Sequence, residues 1–487
     1  MEPTATAWRE QLRRGELSAV ELCEHYLARL DAVAHLNAVV ARDDEAARAA
    51  AAAADARIRA GEDGPLLGIP LTVKDGLDAV GMPCRTGSLA RADQPVRDAE
   101  VVRRVKAAGA VVLGKTNMPE LGMSYETDNR VYGRTDHPFD PRRTPGGSSG
   151  GEGAVLGADA SPLGIGTDGG GSIRVPSAFC GLFGLRPTTG RVPGTGAWPP
   201  GRAGSTFDLT CVGPMGRGTA DIASLLGVLA GPDLVDPFAP PVPFADWTAV
   251  DVSRLRVGWY VEDGVAAPVS EVRAAVEKAA VALGEAGATV VEVVPPAGVR
   301  RATEYFFRAT AADGGERLLD LVGDRPEDHV PQFLELVRHP PYGGSTSAAD
   351  YFALLQEIFD LRAEVRRWVA DYDVVLAPVV AGPAPLHGEP PAGVPGERYL
   401  RYESFNYTHT YSIAGLPAGS APVAVSDGLP IGVQVVAPAW REDLVLAAQQ
   451  VLEDAFGGFA MTDHLRAWTG SGATADTSSG RNRGEQR

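Results

Sequence analysis

Cysteine is scarce: Cys23, Cys84, Cys180 and Cys211 are the four in 487 residues, and they form no Cys-x-x-Cys pair. That spacing excludes a disulfide framework and a zinc site and predicts four buried thiols. The eight histidines are scattered and offer no metal-ligand spacing either. Positive charge is in the minority, with 45 Lys and Arg against 62 Asp and Glu and a net charge of −17. An acidic surface repels phosphate, which excludes a general nucleic-acid binder. Long apolar runs are also missing: no stretch reaches the roughly eighteen uncharged apolar residues of a membrane span. The opening Met1-Glu2-Pro3-Thr4-Ala5 has no basic segment followed by an apolar run. The expectation is a soluble, cytoplasmic protein that meets neither nucleic acid nor membrane.

Glycine, by contrast, is abundant. Its 58 residues are roughly one in eight where about 7% is usual, and many crowd between Gly146 and Gly190. Backbone there must take conformations or approaches closed to other residues. With 44% hydrophobic and 22% charged residues the chain has a globular composition. Its length suits either three ordinary domains or one large α/β core.

The chain to about residue 70 reads as helices. Ser18 and Glu21 form a capping box, after which Leu22, Tyr26, Leu27, Leu30 and Val33 recur at helical spacing. An alanine-rich helix follows over 43–59. Short apolar runs then alternate with helices, at 69–73, 110–113, 163–166, 257–260, 289–294 and 374–376. That alternation predicts α/β layering around a buried sheet. Runs 421–425 and 431–436, joined through Ser426-Asp427-Gly428-Leu429-Pro430, read as a hairpin, and Leu444, Ala448, Val451, Leu452 and Phe456 as a final helix. Sheet-forming runs come from both halves without a linker, so residues 1–468 are expected to form one domain. Residues 469–487, rich in Gly, Ser, Thr and charge, are expected to be a disordered tail. The irregular region 299–401, with Tyr305, Phe306, Phe307, Tyr342, Tyr351 and Phe352, reads either as a helical cap or as the wall of a substrate pocket.

Three motifs compete. Residues 109–116, from Gly109 to Gly114-Lys115-Thr116, match a Walker A loop, but the intervening Ala110 to Leu113 look like a strand rather than a phosphate cradle. Residues 146–150, with Ser148 at the centre, match the serine-hydrolase elbow, yet Asp140-Pro-Arg-Arg-Thr-Pro145 before them is not a buried strand. His387, His409 and His464 carry no signature of a partner for such an elbow. The third is a constellation: Lys74 ending an apolar run, then Gly146 to Gly151, then residues 166–176 with Asp168, Gly169-Gly170-Gly171, Ser172, Arg174 and Pro176.

Residues 146–177 resemble the amidase signature family over the whole glycine- and serine-rich pattern. The similarity extends to Gly68-Ile-Pro-Leu-Thr-Val-Lys74-Asp75, Gly114-Lys-Thr-Asn117, Ala414-Gly-Leu-Pro417 and Asp427-Gly-Leu-Pro-Ile431. It implies an α/β amidase signature fold, a large mixed β-sheet covered by helices on both faces. It also implies a serine-dependent amidase with Ser172 as nucleophile, Ser148 as a bridging serine after a cis peptide, and Lys74 as base. A serine hydroxyl needs a base, and lysine serves only when burial keeps it neutral. The backbone N–H groups of Gly169, Gly170, Gly171 and Ser172 would form the oxyanion hole, with Ser149 and Thr167 supporting the triad. The substrate would be a small-molecule amide, no metal or other cofactor is required, and a homodimer is left open.

Met123-Ser124-Tyr125 resembles the fatty acid amide hydrolase and acetamidase branch, where this segment lines the acyl pocket. Gly169 and Asp136-His137 depart from the common pattern, which bears on pocket shape. The alternative function is the glutaminase subunit of a tRNA-dependent amidotransferase, which holds the substrate amino group with an acidic residue. Ser404-Phe405-Asn406-Tyr407 offers no carboxylate there, although Glu403 is adjacent. A non-catalytic binding module of the same fold is disfavoured because Lys74, Ser148 and Ser172 are all present.

Overall fold

A computed structural model describes residues 3–91, 94–199, 209–393 and 402–459. Its N-terminal helix pair forms for the reasons its sequence gives. Ser18 Oγ accepts from Glu21 N at 3.1 Å while Glu21 Oε2 accepts from Ser18 N at 2.9 Å, a cap of about 1 kcal/mol. The helix Ala19–Ala32 then buries Leu22, Tyr26, Leu27 and Leu30.

Eleven strands form one mixed sheet among the described residues. They are β1 (Val39–Ala41), β2 (Pro70–Lys74), β3 (Val111–Thr116), β4 (Leu163–Asp168), β5 (Phe183–Arg186), β6 (Cys211–Gly216), β7 (Arg256–Trp259), β8 (Thr289–Glu292), β9 (Val374–Pro378), β10 (Ala418–Ser426) and β11 (Leu429–Val436). Their spatial order is β1-β3-β2-β4-β6-β5-β10-β11-β9-β7-β8. Strands β3, β2 and β4 run parallel, as do β9, β7 and β8, and antiparallel pairings through β6, β5, β10 and β11 join the two groups.

Both faces of the sheet are covered. Along β9, Val374 and Leu376 enter one apolar cluster while Val375 and Ala377 enter another on the opposite face, the period-two pattern of a strand buried on both sides. The first cluster spans the N-terminal helices and both halves of the sheet.

Several strands run further than the apolar runs alone predict. β3 continues through Gly114, Lys115 and Thr116, so the Walker-like residues are strand, with Lys115 buried and its Nζ on Asp75 O at 2.9 Å and Pro83 O at 2.8 Å. The C-terminal hairpin turns on Asp427-Gly428 alone, at φ 49° and 78°, the left-handed pair of a two-residue turn. Leu429 and Pro430 are therefore already paired with Ser426 and Val425.

Candidate active site

Lys74 ends β2, between the parallel neighbours β3 and β4. The carboxyl ends of parallel strands are where side chains emerge into a crevice. Lys74 is fully buried there. Its Nζ lies 2.7 Å from Ser148 Oγ, 3.0 Å from Ser149 Oγ and 2.8 Å from Thr167 Oγ1. Burial pushes the amine down to about 7, against the carboxyl groups of Asp168 and Glu152, which favour its charge. Ser149 donates its own hydrogen to Thr167 O at 3.2 Å, so it accepts from the lysine. A neutral amine that places its two hydrogens on Ser149 and Thr167 keeps its lone pair for the hydrogen of Ser148.

The serine segment enters through a cis Gly147–Ser148 peptide bond. Ser149 N donates to Ser172 O at 3.2 Å, which ties the two serine segments together, and the helix Gly150–Gly157 follows directly. That helix carries Glu152, wholly buried behind Lys74, where its carboxyl accepts from Thr72 Oγ1 at 2.6 Å and Thr116 Oγ1 at 2.9 Å. Burial pushes Glu152 up to about 8, further than the two hydroxyls and Lys74 pull it down.

The glycine turn after β4 is built on Asp168. Its carboxylate accepts from Gly171 N at 2.7 Å and Ile173 N at 3.1 Å, and takes Arg174 as a bidentate partner with both contacts at 2.9 Å. Burial opposes the Asp168 charge, but the guanidinium outweighs it and holds the carboxyl well below the usual range. Arg174 also reaches Gln434 Oε1 at 2.7 Å and Ser412 Oγ at 2.7 Å. Arg174→Met therefore strips a buried carboxylate of its bidentate partner and leaves it only the more distant Arg186, at 3.8 Å. The expected loss of stability is about 3 to 5 kcal/mol, read from urea unfolding at pH 7; a loss below about 1 kcal/mol would show that the pair does not hold the turn.

A cavity of about 750 Å³ opens beside these residues, lined by Ser148, Thr167, Gly169, Gly170 and Ser172. Leu121, Met123, Trp198, Phe306 and Phe307 give it apolar walls, while Asp313 and Arg317 stand among its polar lining. Tyr125 and Tyr351 line it as well. The residues singled out from the sequence are thus gathered in one place: Lys74, Ser148, Ser149 and Thr167 are bonded together, and Ser172, Gly169, Gly170, Met123 and Tyr125 face the same space. Gly171 differs, because its N–H is already given to Asp168.

The family model described as Amidase matches residues 21–446. The chain belongs to the amidase signature family. Members of this family act on the C–N bonds of amides. The chain is 36% identical over 466 residues to AtzE of Pseudomonas sp. strain ADP, described as part of a 1-carboxybiuret hydrolase, covering 91% of this chain and 97% of that protein. It is also 36% identical over 469 residues to a glutamyl-tRNA(Gln) amidotransferase subunit from Roseiflexus sp. strain RS-1, covering 90% and 93%. Against human fatty-acid amide hydrolase 2 the identity is 32% over 494 residues, covering 92% and 88%. No helix among the described residues is long and apolar enough to cross a membrane.

Two buried groups of the site carry no catalytic mark in the sequence, one of them the histidine set aside as an elbow partner. Glu152 sits where a glycine-rich helix shows no catalytic pattern, and only its place four residues after Ser148 signals it. His409 is buried against the glycine turn, with Nε2 2.8 Å from Tyr125 Oη. His387 instead pairs with Glu126 Oε1 at 2.7 Å, and His464 lies outside the described residues, as does the tail 469–487. His137, one of the departures from the common pattern, is buried on Phe179 O at 2.9 Å away from the cavity lining.

Proposed function

We propose that the protein hydrolyses a carboxamide with a bulky, largely apolar acyl group, giving a carboxylate and ammonia or an amine through an acyl-enzyme on Ser172. One observation carries the reading: a buried lysine amine, held near neutrality, lies 2.7 Å from Ser148 Oγ beside the cavity that Ser172 lines.

Ser172 Oγ attacks the carbonyl carbon. Its proton passes to Ser148 Oγ as the Ser148 proton moves to the Lys74 lone pair. The electrons of the carbonyl π bond move onto oxygen, and the N–H groups of Gly169, Gly170 and Ser172, which make no other hydrogen bond among the described residues, are the donors left to meet it. Collapse breaks the C–N bond, and the departing nitrogen takes the proton back from Lys74 through Ser148. Water then attacks the ester by the same relay, releasing the carboxylate and restoring Ser172.

A cavity of this size suits an acyl group of drug-like bulk. The isolated protein is expected to release ammonia from arylalkyl amides with kcat/KM at least 100-fold above acetamide, since each apolar methylene placed in a pocket adds about 1 kcal/mol or more. A preference for acetamide would overturn the acyl-size assignment.

The second reading, an amidotransferase-type glutaminase subunit, draws support from the two relatives named as parts of larger enzymes. It would need a carboxylate for the substrate amino group. Glu403 accepts from Tyr342 Oη at 2.7 Å and is not among the cavity lining, and Asp313, a carboxylate that does line it, is taken up by Gly315 N at 2.8 Å and Arg317 N at 3.4 Å, which favours the free-standing amidase. Turnover of glutamine that requires an added partner protein would reverse that preference.

A further inference from the structure

The peptide plane joining Gly170 to Gly171 is gripped at both ends. Its N–H donates to Asp168 Oδ1 at 2.7 Å, and its C=O accepts from Tyr125 Oη at 2.9 Å and Thr408 Oγ1 at 2.7 Å. Gly171 takes φ +132°, open in practice only to glycine. Behind the plane the fit is close: a Cβ on Gly170 would stand 2.9 Å from His409 Cδ2 and 3.0 Å from Phe306 Cε2. The Gly170 and Ser172 N–H groups belong to the peptide units on either side, so holding this plane limits how far each of them can turn.

Hydrogen counting gives each side chain its part. Thr408 has one hydroxyl hydrogen and two acceptors, Gly170 O at 2.7 Å and Phe405 O at 2.8 Å, so it does not hold the Gly170 carbonyl alone. Tyr125 also has one hydrogen. With that hydrogen on Gly170 O, its oxygen accepts from His409 Nε2, and His409 Nδ1 accepts from Thr303 Oγ1 at 2.9 Å. Asn406 Oδ1 then still receives Thr303 N at 3.0 Å, so the chain closes without an orphaned group. Burial, helped by the Arg174 charge, pushes His409 down to about 3, and the ring stays a neutral, one-hydrogen relay.

We propose that Tyr125 and His409 are positioning residues for the oxyanion-binding turn: His409 fixes the Tyr125 hydroxyl, and that hydroxyl fixes the Gly170–Gly171 peptide plane. The proposal rests on the amidase reading above, because it assigns these residues to that reaction's transition state rather than to substrate binding.

The test measures steady-state kinetics on a phenylalkanoic p-nitroanilide, together with inhibition by the matching phenylalkyl trifluoromethyl ketone, whose serine adduct carries an oxyanion. Loss of one oxyanion donor outright costs about 10²- to 10³-fold in kcat, so loosening the donors by Tyr125→Phe is expected to cost roughly tenfold. KM should stay within about twofold, ketone affinity should fall in step with kcat, and the pH profile should keep its midpoint. His409→Leu should reproduce this pattern, and His409→Gln, which retains a donor near the Nε2 position, should recover most of it. Thermal melts exclude misfolded variants. Unchanged kcat and ketone affinity in folded Tyr125→Phe and His409→Leu would overturn the proposal, as would a change confined to KM. If the wild-type protein shows neither turnover nor ketone inhibition, the amidase reading itself fails, a result distinct from either.

Discussion

Lys74→Met abolishes the pH-dependent part of turnover, with kcat expected to fall by about 10²- to 10⁴-fold, the range set by loss of a general base. In the wild-type protein the Lys74 amine is pushed down to about 7 by burial, so kcat/KM should rise with pH through that region and level off above it. The methionine variant should lack this rise, and its remaining activity should increase only as hydroxide takes over.

The same substitution should raise stability. The folded-state pKa lies below the ordinary lysine value of 10.5, so between the two the unfolded chain binds more protons. The charged form is therefore penalised in the fold. That penalty grows as pH falls from 10.5 to about 7 and is complete below. The gain in melting temperature from Lys74→Met should thus be larger at pH 6 than at pH 10. A variant that loses stability at pH 6 would mean that the hydrogen bonds to Ser148, Ser149 and Thr167 outweigh the burial of the ammonium.

Ser172→Ala removes the nucleophile and is expected to lower kcat by on the order of 10⁴- to 10⁶-fold, as loss of the serine does in other acyl-transfer sites. Ser148→Ala should act differently. It leaves the nucleophile but cuts the link to Lys74, so acylation slows without vanishing. A double variant of Ser148 and Lys74 should then be little worse than the worse single one, because both changes break the same relay. Additive losses would place the two residues on separate paths.

What the sequence makes legible here depends on whether a residue's signal is local. The end of an apolar run places Lys74, and Ser172 with its glycines stands out because so many glycines fall together. The Asp168 and Arg174 flank is equally plain, being a six-residue spacing that the turn closes on itself. β6 is hidden because Gly213, Pro214 and Gly216 interrupt Cys211–Gly216, although every position in it is buried. β5 is short, and its role comes from pairing with β6 and β10 far along the chain.

Side chains whose meaning is set by distant contacts are the least visible. His409 lies 284 residues from Tyr125, and neither carries a mark of that pairing. Glu403 is adjacent in sequence to the segment where an amidotransferase carboxylate is expected, yet it accepts from Tyr342, 61 residues away in a turn. The irregular aromatics divide in the same way: Phe306, Phe307 and Tyr351 line the cavity, whereas Phe352 is exposed on the helix Ala348–Val369. Periodicity does not separate these cases, because long-range packing decides which ring faces the cavity.

The proposed mechanism turns on an acyl group that rests on Ser172 and is placed there by Lys74 through Ser148. Peptide mapping after reaction with a fluorophosphonate, run on the wild type, Ser148→Ala and Lys74→Met at pH 8, reads that step itself. A single adduct on Ser172 is expected in all three, formed fast in the wild type and much more slowly in both variants. An adduct on Ser148, or labelling of Ser172 at an unchanged rate in Lys74→Met, would contradict it.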